Sequence, residues 1–350
     1  MTRTSTARTA RPTVCLALPS GKRKGLFRAA AWERLRDLAE VLGPYPGNTP
    51  PAEDAARADV LAGPGGVKLD AAGIAELDRL RWVAGLAGSA PKLDYAAAWS
   101  RGVVVSRCGP AFAHSVAEMA LGMYICLARD LLEHNRALHT ADGWEGTPKE
   151  ENRQASYRTI GIVGLGSLGQ EFARMVRVLE PSRLLAHDPF ARPEVAADLG
   201  VQLVPLDELL RTCDVVVVMA ASTPENRKVI GAAALDLLRP GALFINVSRS
   251  HLVDYAALAE RLGDPARRLK AALDVFDVEP LPPAGQDRVA AALRGLDNVL
   301  LTPHRAGGTR EAYLRIGDEF VIDIERYVRG EPPETDRIVD EAVARRQGVL

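Results

Sequence analysis

Thr159-Ile-Gly-Ile-Val163-Gly164-Leu-Gly166-Ser-Leu-Gly169 is the stretch on which the reading of this chain turns. An apolar run of strand length leads straight into a G-x-G-x-x-G turn, and a helical pattern follows. The first glycine permits the tight turn, and the second lets backbone approach a pyrophosphate. The third lets helix and strand pack closely. The N-terminus of the following helix would offer N–H donors and positive potential to the phosphates. Asp188 stands 19 residues beyond Gly169, at the end of the next apolar run. A carboxylate there accepts hydrogen bonds from a ribose diol and repels a 2′-phosphate. The pattern therefore predicts a dinucleotide site formed by Gly164, Gly166, Ser167, Leu168, Gly169 and Asp188. NAD is favoured over NADP, while Arg192 nearby leaves NADP use open.

Outward from this segment, strand-like runs recur at Leu184–His187, Asp214–Ala220, Ala242–Val247, Leu269–Val275 and Val299–Thr302. Several are almost continuously apolar, as expected of parallel strands covered on both faces. Asp207 reads as a helix N-cap, and a helix over Ala232–Leu238 ends at Pro240-Gly241. Toward the N-terminus, strands are expected at Thr13–Leu18, Asp59–Ala62, Leu80–Ala87 and Val103–Ser106. Helical patterns lie between them at Phe27–Leu42 (Trp32, Leu35, Leu38 and Leu42 on one face), Asp70–Asp78 and Tyr95–Ser100. Long helices are expected over His114–Leu138 and Thr309–Arg329, and a polar loop reaching Ser156 looks like a domain boundary. The alternation implies an α/β protein with two Rossmann-like or flavodoxin-like parallel sheets.

Bulk properties narrow the choice. With 350 residues the chain is long enough for two domains. Apolar residues make up 47% and the net charge is −1, which fits a globular protein and gives no sign of nucleic-acid or membrane partners. The longest apolar runs, such as Val215–Ala221, have strand length and are too short to span a bilayer. Cys15, Cys108, Cys126 and Cys213 show no C-x-x-C spacing, so a metal site is not expected and a reducing cytoplasm fits. The acid-free first dozen residues read as a frayed terminus rather than a transit peptide.

Three later segments each bring a polar group to a strand's C-terminal end, where open parallel sheets place their ligands. They are Asn246-Val-Ser-Arg249, Leu273-Asp-Val-Phe-Asp-Val-Glu279-Pro280 and Leu301-Thr-Pro-His304. Together with the glycine turn, Gly102-Val-Val-Val and Ser115-Val-Ala-Glu118, they resemble the D-isomer-specific 2-hydroxyacid dehydrogenase family. The resemblance runs from about Arg79 to Gly330.

The resemblance implies transfer of a hydride between NAD and a small 2-hydroxy or 2-keto acid. His304 would be the general acid/base, with Glu279 paired to it and fixing its orientation. Arg249 would grip the substrate carboxylate through its planar fork. Asp274 would bind the nicotinamide carboxamide, and Ser248 would also contact the cofactor. The carboxylate-binding loop would comprise Gly88, Ser89 and Lys92. The family layout further implies a substrate domain of residues 1–125 and 305–335, an inserted nucleotide domain of residues 126–304, and a tail over 336–350. A homodimer through the nucleotide domain is expected.

The chain departs from the family pattern at three places. Ser250-His251 follows Arg249 where glycine is usual, and Tyr255 follows Val253-Asp254 where an acid is usual. The loop Ala87-Gly-Ser-Ala-Pro91-Lys92-Leu-Asp94 lacks the usual glycines and Asn. These changes bear on the substrate pocket rather than the reaction type. Two alternatives stay open: a phosphite-type dehydrogenase, and a non-catalytic NAD(H)-sensing interaction protein of the same fold. Glu279 argues against a formate-type enzyme, which would carry glutamine there.

Overall fold

The computed structural model describes residues 11–63, 65–88, 90–139, 144, 153–283 and 286–346. The expected frayed terminus therefore lies mostly outside the described residues, as does most of the polar loop before Ser156. The chain forms two compact units, Met1–Phe112 with Thr309–Leu350, and Ala113–Gly308. Each is built on one sheet whose strands all pair in parallel, the α/β class expected from the alternating pattern.

In the first unit, β1 (Thr13–Leu16), β2 (Glu40–Leu42), β3 (Val60–Ala62), β4 (Trp82–Gly85) and β5 (Val104–Arg107) lie in the order β2-β1-β3-β4-β5. β1, β3 and β4 are buried along their whole length, which is why they read as unbroken apolar runs. The helix Arg310–Val328 returns to this unit and packs on the helix Ala29–Leu38. Thr309 starts it, its hydroxyl accepting the Ala312 N–H at 3.2 Å. Phe320 from this helix meets Trp82 at 5.6 Å between ring centroids. The Trp82 indole N–H is satisfied by Ser106 Oγ at 2.9 Å.

In the second unit, β6 (Thr159–Val163), β7 (Arg183–His187), β8 (Gln202–Leu203), β9 (Val215–Val218), β10 (Leu243–Asn246), β11 (Lys270–Leu273) and β12 (Val299–Leu301) lie in the order β12-β11-β10-β9-β6-β7-β8. The chain runs from β6 outward to β8, then crosses to β9 on the other side. The crevice between the C-terminal ends of β6 and β9 is thus the topological switch point, the usual ligand position in such sheets. Each of the four β9 valines is 0% exposed. Burial of that kind is worth about 1.5 kcal/mol or more per side chain, which places this strand at the sheet's centre.

Several local expectations need correction. Leu42 does not continue the first helix. It lies in β2, paired opposite Cys15, because the strand ladder with β1 outweighs the helical spacing of its side chain. Asp207 is not an N-cap: Pro205 holds that position and Asp207 sits in the helix's first turn. The helix expected over His114–Leu138 is two helices, Ala113–Ala128 and Leu131–Leu138. They break at Asp130, which has a φ of +49° and whose carboxylate is bonded to Lys270 Nζ.

The sequence-based boundary at 125/126 falls inside Ala113–Ala128, a helix that belongs wholly to the second unit. Within the expected tail, residues 337–339 are packed onto the first unit. The Val339 N–H donates to Val105 O at 2.8 Å, Ile338 bridges Ser106, and the buried Arg337 is held by Asp323 at 2.7 Å. The stretch Gly109–Ala128 is long and apolar enough to cross a membrane by length and composition, although Pro110, His114 and Glu118 interrupt it, so that it forms no unbroken apolar run. Val116, Ala120, Met123, Tyr124 and Leu127 of this stretch are buried within the fold, where a core helix needs its apolar residues.

Candidate active site

The glycine turn lies at the switch point of the second unit. Gly164 has a φ of +97°, and a Cβ there would stand 2.4 Å from the Ala220 backbone beyond β9. Only glycine satisfies both constraints. A Cβ on Gly169 would fall 2.1 Å from Gly164 O, so the helix Ser167–Val176 can seat on β6 only without a side chain. Gly166 begins that helix, and a Cβ there would meet nothing within 4 Å. The helix N-terminus thus has open space at Gly166, with Ser167 exposed and Leu168 half-buried beside it. This cradle suits a pyrophosphate.

Asp188 directly follows β7 and accepts the Leu165 N–H at 2.7 Å and the Phe190 N–H at 2.8 Å. Its carboxylate is fixed against the glycine turn, one oxygen from each bond, and keeps lone pairs for a ribose diol. Glycine turn, helix and carboxylate together fit a bound dinucleotide.

Arg249, Glu279 and His304 come from the loops after β10, β11 and β12, three neighbouring strands of one sheet. The His304 Nδ1 lies 2.5 Å from Glu279 Oε2. A carboxylate only accepts, so Nδ1 carries the proton and Nε2 is the nitrogen left for chemistry. The other oxygen, Glu279 Oε1, accepts the Phe276 N–H at 2.9 Å, which fixes the carboxylate before it meets the ring. Arg249 reaches solvent while its guanidinium donates to Ser248 O at 2.7 Å. Desolvation holds its pKa below the ordinary arginine value, and the charge of Glu279 opposes that shift.

Two residues expected to touch the cofactor are engaged elsewhere in this structure. Asp274 is 0% exposed. Its carboxylate accepts from Thr302 Oγ1 at 2.6 Å and from the Arg305 and Ala306 N–H groups at 2.8 Å each. Its position is that of an internal anchor for the turn carrying His304. Ser248 is also buried, its N–H and hydroxyl both directed at Asn246 Oδ1 at 3.1 and 3.3 Å.

Gly88 and Lys92 belong to the first unit, on the loop after β4, with Lys92 exposed. Tyr95 pins that loop by donating to Pro91 O at 2.7 Å. Ser89 lies outside the described residues.

Sequence reasoning missed Asn246, Tyr255 and Thr302 as parts of this site. Asn246 and Thr302 sit inside the quoted motifs, and a polar residue closing an apolar strand was the available signal. Tyr255 was visible only as a departure.

The family model described as "D-isomer specific 2-hydroxyacid dehydrogenase, NAD binding domain" matches residues 121–306. Among curated proteins, the chain is 34% identical over 265 residues to D-3-phosphoglycerate dehydrogenase of Archaeoglobus fulgidus, covering 76% of this chain and 48% of that one. It is 30% identical over 278 residues to the enzyme of the same name from Methanocaldococcus jannaschii, covering 79% and 51%. The chain thus spans about half the length of the curated relatives it matches. Among solved structures, a phosphoglycerate oxidoreductase from Rhizobium etli is similar with a TM-score of 0.77 and 28% identity, covering 95% of this chain and 99% of that one. D-mandelate dehydrogenase from Rhodotorula graminis shares the fold, with a TM-score of 0.80 and 23% identity, covering 95% and 98%.

Proposed function

Because the chain belongs to the D-isomer specific 2-hydroxyacid dehydrogenase family, we propose that it transfers a hydride between NAD and a small 2-hydroxy or 2-keto acid, with D stereochemistry. The observation that carries the reading is the 2.5 Å contact between His304 Nδ1 and Glu279 Oε2, in the same unit and on the same sheet edge as Arg249 and the glycine turn. When bound, the nicotinamide supplies or takes the hydride. The protein's own residues do the rest. The Gly164–Gly169 turn and the helix behind it receive the pyrophosphate, and Asp188 takes the ribose. Arg249 holds the substrate carboxylate through paired N–H donors. His304 gives a proton from Nε2 to the carbonyl oxygen in reduction and takes it back in oxidation. Glu279 fixes the ring so that Nε2 points the same way in both directions.

The acid itself is proposed only by class. Gly88, Ser89 and Lys92 on the loop after β4 would receive the carboxylate end, with Lys92 available to a second anionic group. We further propose a cytoplasmic homodimer. Exposed Leu131 and Leu138 share one face of the helix Leu131–Leu138, which supports a protein partner on the second unit. The four cysteines are unpaired, which supports a reducing compartment.

The test follows NADH absorbance with purified protein against glyoxylate, pyruvate, hydroxypyruvate and phosphohydroxypyruvate, with His304→Ala in parallel. Turnover of at least one acid is expected, lowered roughly 10²–10⁴-fold in the variant. Tight NADH binding without turnover of any acid would favour the sensing protein instead.

A further inference from the structure

Tyr255 stands where the family pattern carries an acid, and the structure shows what the replacement does. It opens the helix Tyr255–Leu262, directly after Asp254 caps that helix by accepting the Ala257 N–H at 3.2 Å. The side chain is 4% exposed, with its ring edge-on to Phe276 at 6.4 Å between centroids. The hydroxyl makes two bonds. It donates to Val275 O at 2.8 Å and accepts from Asn246 Nδ2 at 3.1 Å. Burial pushes the phenol well above its ordinary range, so it remains a donor throughout working pH.

Both partners are attached to the site. Asn246 closes β10 and is 0% exposed. Its Nδ2 also donates to Arg249 O at 3.1 Å, while its Oδ1 accepts from Ser248. The amide thus clamps the turn that presents Arg249. Val275 follows Asp274, which anchors the His304 turn, and precedes Phe276, whose N–H holds Glu279.

We propose that Tyr255 is a positioning residue: its hydroxyl ties the turn carrying Arg249 to the exit of β11, which carries Glu279 and, through Asp274, anchors the His304 turn, and so sets where the guanidinium stands relative to the imidazole. The inference rests on the catalytic reading of those three residues. A carboxylate at this position could accept from Asn246, but it could not donate to Val275 O without holding a proton. The tyrosine supplies donor and acceptor from one atom, in a place closed to water. His251, two residues after Arg249, makes a second and more exposed link between the same two loops, its Nδ1 lying 3.2 Å from Asp277 Oδ1.

Tyr255→Phe keeps the ring and removes only the hydroxyl. In the apo protein, amide hydrogen exchange should quicken locally over residues 247–253 and 275–280 and stay unchanged elsewhere in the unit. With the 2-keto acid that the wild type reduces fastest, kcat should fall about tenfold to a hundredfold, the usual result of misaligned reacting groups. The Kd for NADH should not change. Asn246→Asp breaks the same link from the other side, because a carboxylate has no donor for Arg249 O or the phenol. It should give the same phenotype, and the double variant should be no worse than either alone. Should one variant not fold, the other carries the test.

Any other pattern overturns the proposal, including wild-type kcat with a lowered Tm, or exchange that rises evenly through the unit. His304→Ala, measured alongside, separates the two levels. Wild-type turnover in that variant would mean the catalytic reading itself has failed, and the proposal with it. Loss of turnover there, with an unaffected Tyr255→Phe, would remove the role of Tyr255 alone.

Discussion

Asp274 holds His304 in place through the backbone: its carbonyl accepts the His304 N–H at 2.8 Å while its carboxylate accepts the next two N–H groups along the chain. The arrangement has a physical purpose. His304 has a φ of +52°, a left-handed conformation that costs a residue with a Cβ about 1–2 kcal/mol. Four hydrogen bonds to one buried aspartate offset that cost and keep the imidazole turned toward Glu279.

Asp274→Asn should therefore damage both stability and catalysis. An amide can replace one carboxylate oxygen but turns a donor toward the Ala306 N–H or toward its partners on the other side. Leaving a buried group unsatisfied costs about 1–3 kcal/mol. Urea unfolding should show a loss of that size, and kcat should fall more than the KM for NADH rises. Wild-type kcat in a destabilised variant would contradict the anchoring role.

His304→Ala should lower kcat by roughly 10²–10⁴-fold, the usual range for losing a general acid/base. Glu279→Gln should cost less, because an amide oxygen can still accept from Nδ1. That oxygen must then give up either the ring or the Phe276 N–H, so the loss should appear in kcat rather than in KM. Steady-state kinetics decide this, and a Glu279→Gln enzyme altered only in KM would remove the glutamate from the histidine's service.

NADH should be preferred over NADPH by at least about tenfold in kcat/KM, or about 1.4 kcal/mol. Asp188 is held by two backbone N–H groups and cannot easily swing away from a 2′-phosphate. Asp188→Ala should narrow the preference. Equal use of both cofactors by the wild-type protein would shift attention to Arg192.

Acids with a second anionic group should outperform pyruvate and glyoxylate, because exposed Lys92 stands on the loop proposed to hold the substrate. Lys92→Ala should raise KM chiefly for the doubly charged acids, and salt should weaken the difference. An unchanged ratio between mono- and dianionic substrates would rule the idea out.

Asp254 offers a pH test away from the reaction. Its pKa is lowered, first by the hydrogen bond from Lys228 and then by the Ala257 N–H it caps. A depressed carboxylate contributes stability above its unfolded pKa of about 3.9 and loses it as pH falls through the lower folded value. Asp254→Asn should thus flatten the acid limb of a stability–pH curve. An acid limb that stays as steep would show that other carboxylates set it.

By itself the sequence placed six of the seven strands of the nucleotide half to within two residues at either end, and left out only the two-residue β8. The strand Thr159–Val163 was read with both ends correct, and so was the helix Tyr95–Ser100. In each case the signal is local: a buried parallel strand must be apolar throughout, a tight turn needs glycine, and Asp94 caps its helix from the adjacent position. The polar strand ends Arg249, Glu279 and His304 were legible for the same reason, each following an apolar run. Tertiary structure alone decided the rest. Asp130 breaks a continuous helical pattern in association with Lys270, 140 residues away in sequence. Glu40–Leu42 is strand because β1 lies beside it, and a three-residue edge strand carries too little pattern of its own to show this. Asp274 looks like a ligand at a strand end, yet its oxygens are turned to the backbone of residues 305 and 306. Tyr255 reads as a break in a motif until Asn246 and Val275 are seen on either side of its hydroxyl. Periodicity reports which face of an element is buried. Which buried polar atoms satisfy one another depends on contacts between residues far apart in the chain, and those exist only once the sheet has formed.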